Sequence, residues 1–276
     1  MKKILAIAAI AGFASMATAD DLLAWWSFNN TNNDSDLLNS TGDDNLRTNF
    51  GHMIDGNPPF DDGYYDPASG NLYPVYDAFN INPGLLVDPA AHDAAGTPAA
   101  SLFKAAININ GLTGDNFASG TNDNWGSFSG TGTNRPDGGT FGGGTLSVVG
   151  TGNNGSFFDI VADLTGFDNI NVSWVNRGTA TGFTSRTVSV STDGVNFTNI
   201  YADAGALGTS FVLETASAGN LLDNASNAII RFTVDGASGD SGNNRFDNIQ
   251  LRGTPAPGAL ALLGLGGLVA TRRRRA

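Results

Sequence analysis

Short runs of apolar residues, separated by clusters of Gly, Asn, Asp, Ser and Thr, recur along most of the chain. The runs are rich in Val, Ile, Phe and Trp, which favour strands, whereas Gly, Asn and Asp favour turns. No segment between the two ends keeps apolar residues at a spacing of three and four, which an amphipathic helix requires. The pattern therefore predicts many short strands and no helices in the central part of the chain.

Nine segments carry strand patterns of this kind. Residues 187–191 alternate polar and apolar side chains, as expected for a strand with one buried face. The Asp193-Gly194 pair that follows predicts a hairpin turn. The predicted strands are 22–28, 101–109, 145–149, 156–161, 170–176, 186–191, 210–214, 228–234 and 245–251. Nine short strands without helices predict an all-β fold, a jelly-roll-like β-sandwich.

The segment 31–98 is poorer in strand patterns and holds most of the prolines. It is predicted either as long loops at one end of the sandwich or as a partly disordered arm. The acidic residues of the whole chain also argue against helices, since Glu214 is the only glutamate. Aspartate favours loops and turns, while glutamate favours helices.

The N-terminus has the pattern of a secretory signal. Lys2 and Lys3 precede an apolar run over 4–14, and Ala17-Thr18-Ala19 then forms an A-x-A cleavage site before Asp20. The apolar run is too short to span a bilayer permanently. A buried N-terminal helix would explain neither the paired lysines nor the small residues Ala17 and Ala19. The pattern predicts a signal peptide over 1–19 and a sandwich domain over 20–253.

Charge and cysteine content exclude several classes of function. The chain has a formal net charge of −12, and the body is more acidic still, because six basic residues lie at the two ends. A surface of this charge repels phosphate backbones, which argues against nucleic-acid binding. The chain has no cysteine, so thiol catalysis and cysteine-based zinc sites are excluded.

The C-terminal residues 254–276 form a separate segment. Pro255-Ala256-Pro257 is followed by an apolar stretch over 258–270 rich in Leu, Gly and Ala. This stretch predicts a short transmembrane helix, and the basic terminus predicts that its end stays on the cytoplasmic side. A simple tail anchor is the alternative, although it would need about twenty apolar residues. The basic residues are Arg272, Arg273, Arg274 and Arg275.

In its order and position this tail resembles the PEP-CTERM sorting signal of Gram-negative envelope proteins. The chain departs from that signal at Ala256, where the family has glutamate. The resemblance implies recognition by an exosortase-like membrane peptidase and transient residence in the inner membrane. It further implies a final place on the cell surface or in an exopolysaccharide matrix. The resemblance predicts where the protein is located and does not predict an activity.

The loop over 235–244 is rich in oxygen-bearing side chains, which Ca²⁺ prefers as ligands. The following residues, Arg245 to Ile249, resemble the last strand of exported jelly-roll modules, in which an Asp near this position can hold a structural Ca²⁺. The resemblance implies Asp247 as the principal ligand, with Asp235 and Asp240 as helpers. Ordinary turn chemistry is the alternative, because Asn, Asp and Gly are normal turn residues and the loop does not fit the spaced EF-hand pattern.

Tryptophans are the candidate ligand-binding residues. Trp25 and Trp26 are adjacent in the first predicted strand, so they point to opposite faces, and we expect one in the core and one more exposed. Trp125 lies in a turn-rich region. An exposed Trp25 or Trp125 would stack on a sugar ring, whereas core filling is the alternative for both.

No catalytic constellation is evident. His52 and His92 are the only histidines, and no nucleophile-elbow motif accompanies them. We therefore predict a non-enzymatic, exported envelope protein with a structural or adhesive role. A carbohydrate-binding module and a polysaccharide-active hydrolase are the alternatives. The hydrolase requires two carboxyl groups about 5 to 10 Å apart in a groove.

The first testable prediction concerns export. Cleavage after Ala19 should release a mature chain that begins at Asp20, because small residues at Ala17 and Ala19 fit the signal peptidase site. N-terminal sequencing of the exported protein checks this. A start more than a few residues from Asp20 would show that the cleavage site is misassigned.

Overall fold

The computed structural model describes residues 20–28, 64–66, 69–74, 76–77, 104–113, 124–126, 128–136, 138–140 and 145–256. The signal segment 1–19, His52, His92 and the tail from Pro257 lie outside the described residues. Among the described residues, fourteen strands and one 3-10 turn at Thr151–Asn153 are present, and no helix is long and apolar enough to cross a membrane. The strands are β1 Asp21–Trp26, β2 Tyr64–Asp66, β3 Asn71–Tyr73, β4 Tyr76–Asp77, β5 Ala105–Asn108, β6 Asn124–Gly126, β7 Leu146–Val149, β8 Phe157–Ala162, β9 Phe167–Gly178, β10 Ser185–Ser191, β11 Thr198–Ala204, β12 Val212–Gly219, β13 Ala228–Asp235 and β14 Asn243–Pro255.

The strands form two antiparallel sheets that pack face to face. The front sheet has the order β12-β9-β14-β1-β4, with β7 also paired to β14 and β6 paired to β7. The back sheet has the order β11-β10-β13-β8-β5-β3-β2. From β7 to β14 the chain crosses between the sheets at every step except the β10–β11 hairpin. The order β7-β14-β9-β12 facing β8-β13-β10-β11 is that of a jelly roll, so the predicted β-sandwich is confirmed.

All nine predicted strands are present, with shifts of a few residues at their ends. The prediction missed β2, β3, β4 and β6, which have two or three residues each, and the polar edge strand β11. Three of these short strands lie within 31–98, so part of that segment extends the sheets instead of forming only loops or an arm. The last strand continues through Pro255, two residues beyond the predicted end of the domain at Gly253. Proline is tolerated there because it ends the strand.

Aromatic side chains from both sheets fill the centre of the core. The rings of Phe158 and Phe232 stack with centroids 4.8 Å apart. Trp174 and Phe246 meet Phe232 edge-on, at 5.0 and 6.1 Å. Offset and edge-to-face contacts of this kind stabilise beyond the area they bury. Phe232 thus contacts aromatic rings from β8, β9 and β14 and joins the two sheets.

The predicted hairpin at Asp193-Gly194 joins β10 to β11, with a loop longer than two residues. Asp193 accepts hydrogen bonds from the backbone N–H groups of Val195 and Asn196 and from the Asn196 side chain. These bonds, led by that of the Asn196 amide, hold the pKa of Asp193 well below its usual range. Gly194 has a φ of +73°, which suits glycine.

Replacing Phe232 by alanine should lower the free energy of unfolding by about 3–5 kcal/mol, because it leaves a cavity at the junction of the sheets. Urea denaturation followed by circular dichroism measures this. Val195→Ala is the matched control, since Val195 is 79% exposed and should change stability by less than about 0.5 kcal/mol. Equal effects of the two substitutions would contradict the proposed core.

Candidate functional site

A short loop crosses the outer face of the front sheet, and we call residues 128–136 the strap. It lies over the middle of β14, where the pairing changes. β9 pairs with β14 along one edge, while the other edge pairs with β7 at residues 243–246 and with β1 at residues 249–253. Asp247 and Asn248 lie between these two ladders. Their side chains and backbone groups are therefore available to bind the strap.

Asn248 holds the strap through its side-chain amide. Its Nδ2 donates to the carbonyl oxygens of Thr131 and Thr133, at 2.7 and 2.8 Å. The register between β14 and β9 shifts here, because Asp247 faces Val175 while Gln250 faces Ser173. This is a β-bulge with one extra residue in β14, and Asn248 has a φ of +46°. Asparagine tolerates this left-handed conformation better than most residues.

Asp247 anchors the strap from the same place. It is fully buried, and its carboxylate accepts hydrogen bonds from the backbone N–H groups of Thr131 and Asn248, both at 2.7 Å. Burial raises the pKa of Asp247 well above its usual range, opposed by these two N–H groups and by the charge of Arg135. Asp247 thus acts as an internal acceptor that fixes the path of the strap.

The three predicted calcium ligands lie in different surroundings. Asp235 is exposed at the end of β13 and accepts a hydrogen bond from the N–H of Gly236. Asp240 lies in a turn, where it accepts a hydrogen bond from the Thr151 hydroxyl at 2.9 Å. In the part of the chain that the structure describes, no three acidic, histidine or cysteine side chains are grouped to hold a metal. Both oxygens of Asp247 accept hydrogen bonds from backbone N–H groups, those of Thr131 and Asn248. Calcium binding at these three residues stays a prediction from the sequence.

The strap also covers Trp25. This ring points away from the core, yet its exposed fraction is only 1%. The guanidinium carbon of Arg135 lies 5.0 Å from the ring centroid, and the indole N–H donates to Asn248 Oδ1 at 3.2 Å. Trp26 is equally buried, on the core side. The expectation that one of the pair is exposed is wrong, because the outward ring is sealed by a loop remote in sequence.

Trp125 is the other candidate ligand-binding tryptophan. It lies in β6, where its backbone is opposite Val148 of β7. This short strand leads directly toward the strap. A sugar-stacking role for Trp125 stays a prediction.

Beside the strap lies an open groove of about 580 Å³. The strap forms one wall, and the outward side chains of β9, β12 and β14 form the floor. Nine of the thirteen lining residues carry polar or charged side chains, and Leu213 and Pro136 are the larger apolar groups among the rest that are not buried. The lining residues are Asp20, Asn134, Arg135, Pro136, Asn171, Val172, Ser173, Leu213, Thr215, Ala216, Ser217, Gln250 and Arg252.

Hydrogen bonds between the lining residues hold the groove in one arrangement. Gln250 donates to the backbone oxygen of Asn134 and accepts from Nε of Arg252, the latter at 2.8 Å. Asn134 donates to the Ser173 hydroxyl at 3.1 Å, and Asn171 donates to the carboxylate of Asp20 at 3.1 Å. The groove therefore presents fixed donors and acceptors at low entropic cost, which suits a ligand rich in hydroxyl groups.

The groove and the strap were not predicted from the sequence. The polar residues at 171 and 173 were visible as alternate positions of a predicted strand, and 250 lay in another, whereas 215, 217 and 252 lie just beyond the ends of the predicted strands. Such alternation marks an outward face. It does not tell which strands are neighbours, so the six positions could not be joined into one surface.

No family model matches the chain, and no curated protein sequence matches it. Several solved structures resemble part of it. The CBM22-1 xylan-binding domain from Paenibacillus barcinonensis matches with 13% identity over 50% of this chain and 90% of that domain, at a TM-score of 0.32. The K1 cleaved adhesin domain of Lys-gingipain from Porphyromonas gingivalis matches with 12% identity, covering 53% of this chain and 96% of that domain, at a TM-score of 0.30.

A third structure, TmCBM61 in complex with beta-1,4-galactotriose, has 14% identity and covers 40% of this chain and 70% of that one, at a TM-score of 0.30. These neighbours are carbohydrate-binding modules and an adhesin domain. At such low similarity they carry no argument about this chain. The jelly-roll assignment rests on the strand order alone.

Asn248→Ala should loosen the strap, since it removes three hydrogen bonds and leaves alanine in a left-handed conformation. We expect a loss of about 2–4 kcal/mol in the free energy of unfolding. Acrylamide quenching of tryptophan fluorescence should also rise, because Trp25 becomes accessible. The rise should vanish in a Trp25→Phe background.

The control for this prediction is Asn199→Ala, at an exposed asparagine of β11. It should leave both stability and quenching nearly unchanged. Unaltered quenching in Asn248→Ala would show that the strap does not depend on this side chain.

Proposed function

We propose that this protein is an exported, non-enzymatic surface protein whose sandwich binds polysaccharide in the groove beside the strap. The observation that carries the proposal is the row of polar side chains on the front sheet, fixed by mutual hydrogen bonds. Asn171, Ser173, Thr215 and Arg252 present donors and acceptors on one open surface, and the buried Gln250 beneath them binds Arg252 and the strap. Such a surface matches the hydroxyl groups along an extended glycan chain.

The shape of the site supports a polymer rather than a small molecule. The groove is open to solvent and its floor is shared by three neighbouring strands, so a ligand that enters it is not enclosed on all sides. Leu213, which is 50% exposed, offers an apolar contact for the face of a sugar ring. Hydrogen bonds to sugar edges and apolar contact with ring faces together favour binding of carbohydrate.

The lining favours binding over hydrolysis. Two-carboxylate glycoside hydrolysis needs an acid and a second carboxyl group across the scissile bond. Among the residues that the structure describes, Asp20 is the one acid that lines the groove, and it is held by Asn171. The described lining therefore supports recognition of the polymer and offers Asp20 no second carboxyl group.

The proposal includes the export of the protein and its final location at the cell surface. The signal peptide would bring the chain across the inner membrane, and an exosortase-like peptidase would act on the tail. The position of the tail supports this, because β14 ends at Pro255 and the N–H of Ala256 makes a hydrogen bond to Gly166. The described part of the sandwich thus ends at Ala256, just before Pro257 and the arginines in the sequence. Delivered to the surface, the groove would face the exopolysaccharide matrix.

The test removes one hydroxyl group from the groove. Thr215→Val keeps the shape of the side chain and should weaken polysaccharide binding about fivefold, the equivalent of about 1 kcal/mol for one hydrogen bond. A glycan array identifies the polymer, and affinity electrophoresis measures the dissociation constant.

Thr198→Val serves as the matched control, since Thr198 is an exposed threonine of β11 in the back sheet. It should leave binding unchanged. If no glycan binds, or if both variants behave alike, the groove is not a polysaccharide site.

A further inference from the structure

Two arginines stand side by side on the outer face of the front sheet. Arg177 of β9 and Arg245 of β14 are direct cross-strand partners, and both are half-buried. Within the described residues, neither of them has a carboxylate partner. The ion pairs there join other residues, namely Lys104 to Asp163, Arg186 to Asp203 and Arg231 to Asp159.

This arrangement is unfavourable for the isolated protein. Like charges directly opposite each other on neighbouring strands are destabilising. Burial and the adjacent charge of Arg177 lower the pKa of Arg245 to about 10. On the back sheet, by contrast, an arginine is paired with an acid across the strands. Arg231 faces Asp159 and binds it through two hydrogen bonds of 2.8 Å. The chain has 26 acidic residues, yet none of those that the structure describes pairs with these two arginines.

Aromatic rings hold both guanidinium groups in place. The guanidinium carbon of Arg245 lies 4.5 Å from the centroid of Phe128, and that of Arg177 lies 5.5 Å from the centroid of Phe211. Arg245 also donates to the carbonyl oxygen of Ser129 at 3.3 Å. The Nε of Arg245 donates to Asn243 Oδ1 at 3.2 Å, and the buried Nε of Arg177 has no hydrogen-bond partner among the described residues. These contacts and the two rings hold the guanidinium groups in fixed orientations.

The pair lies beyond one end of the groove. Along β9 the outward residues are Asn171, Ser173, Val175 and Arg177; Val175 is fully buried, and the half-exposed Leu213, which lines the groove, lies opposite it on β12. Ser173 and Arg177 are four residues apart, which corresponds to about 13 Å along a strand. A polymer that leaves the groove over Leu213 would reach the two arginines.

We infer that the ligand of the groove is an anionic polysaccharide, with one carboxylate or sulfate group bound between Arg177 and Arg245. This inference rests on the proposed function. Guanidinium groups bind such oxyanions with two parallel hydrogen bonds, and their weak hydration suits a half-buried place. An acidic surface elsewhere repels polyanions, so the pair also fixes where and in which register the polymer binds.

The experiment compares charged polymers with neutral counterparts on the purified protein. Polygalacturonate is paired with its methyl ester, and dextran sulfate is paired with dextran, so the two arms separate carboxylate from sulfate. Each acidic polymer that fits the site should bind at least tenfold more tightly than its neutral counterpart. Arg177→Gln should remove most of that difference, and added salt should weaken it.

Two further variants separate the effect of the guanidinium group from that of charge alone. Arg177→Lys retains the charge without the forked donors and should fall between wild type and Arg177→Gln. Lys104→Gln removes the same charge from the other sheet, where Lys104 is exposed, and should leave binding unchanged. Melting curves of all variants show that each is folded.

The outcomes separate the two levels of the proposal. Equal binding of acidic and neutral polymers, or insensitivity to Arg177→Gln, overturns the anionic ligand while leaving the groove as a glycan site. Equal losses in Arg177→Gln and Lys104→Gln also overturn it, because the effect is then net charge alone. If neither acidic nor neutral polymers bind, the proposed function itself fails.

Discussion

The pairing of β14 with three other strands is the constraint on which the rest of the described structure depends. β9 occupies one edge of β14 along most of its length, and β7 and β1 share the other edge. Two ladders on one edge leave a junction, and the bulge at Asp247 and Asn248 fills it. A bulge releases backbone and side-chain groups from the ladder, and here these groups bind the strap. The strap in turn buries Trp25 and forms one wall of the groove.

This order of dependence explains why two predicted site residues, Asp247 and Trp25, both contact the strap. The oxygens of Asp247 accept the N–H groups of Thr131 and Asn248, and its role as a calcium ligand stays a prediction. Trp25 was predicted as one of two exposed candidates, yet it lies beneath Arg135. Both side chains position the strap, and the groove beside it carries the surface that fits a ligand. A buried carboxylate needs such donors to offset its loss of hydration.

The distribution of charge on the two sheets bears on which ligands the groove can bind. The chain has a formal net charge of −12, and the described arginines of the back sheet form ion pairs with aspartates. On the front sheet Arg177 and Arg245 face each other instead, with phenylalanine rings beneath them. A cationic pair in an acidic protein is a local feature, because neighbouring acids limit its field to short range. It therefore bears on the selection of a ligand more than on solubility.

The sequence by itself determined the class of fold and, where polar and apolar side chains alternate, the inward face of a strand. Alternation in 187–191 and the apolar runs around Trp174 and Phe232 depend only on local periodicity, which the chain carries wherever it folds. Short strands such as β6 escaped detection because two or three residues hold too little pattern, and their pairing comes from neighbours already in place. The groove was decided by tertiary structure alone. Asn171, Thr215 and Gln250 lie far apart in the chain, and they share a surface only because β9 pairs with both β12 and β14. The same holds for Trp25, since a side chain's exposure depends on which remote loop covers it, and periodicity carries no information about that loop.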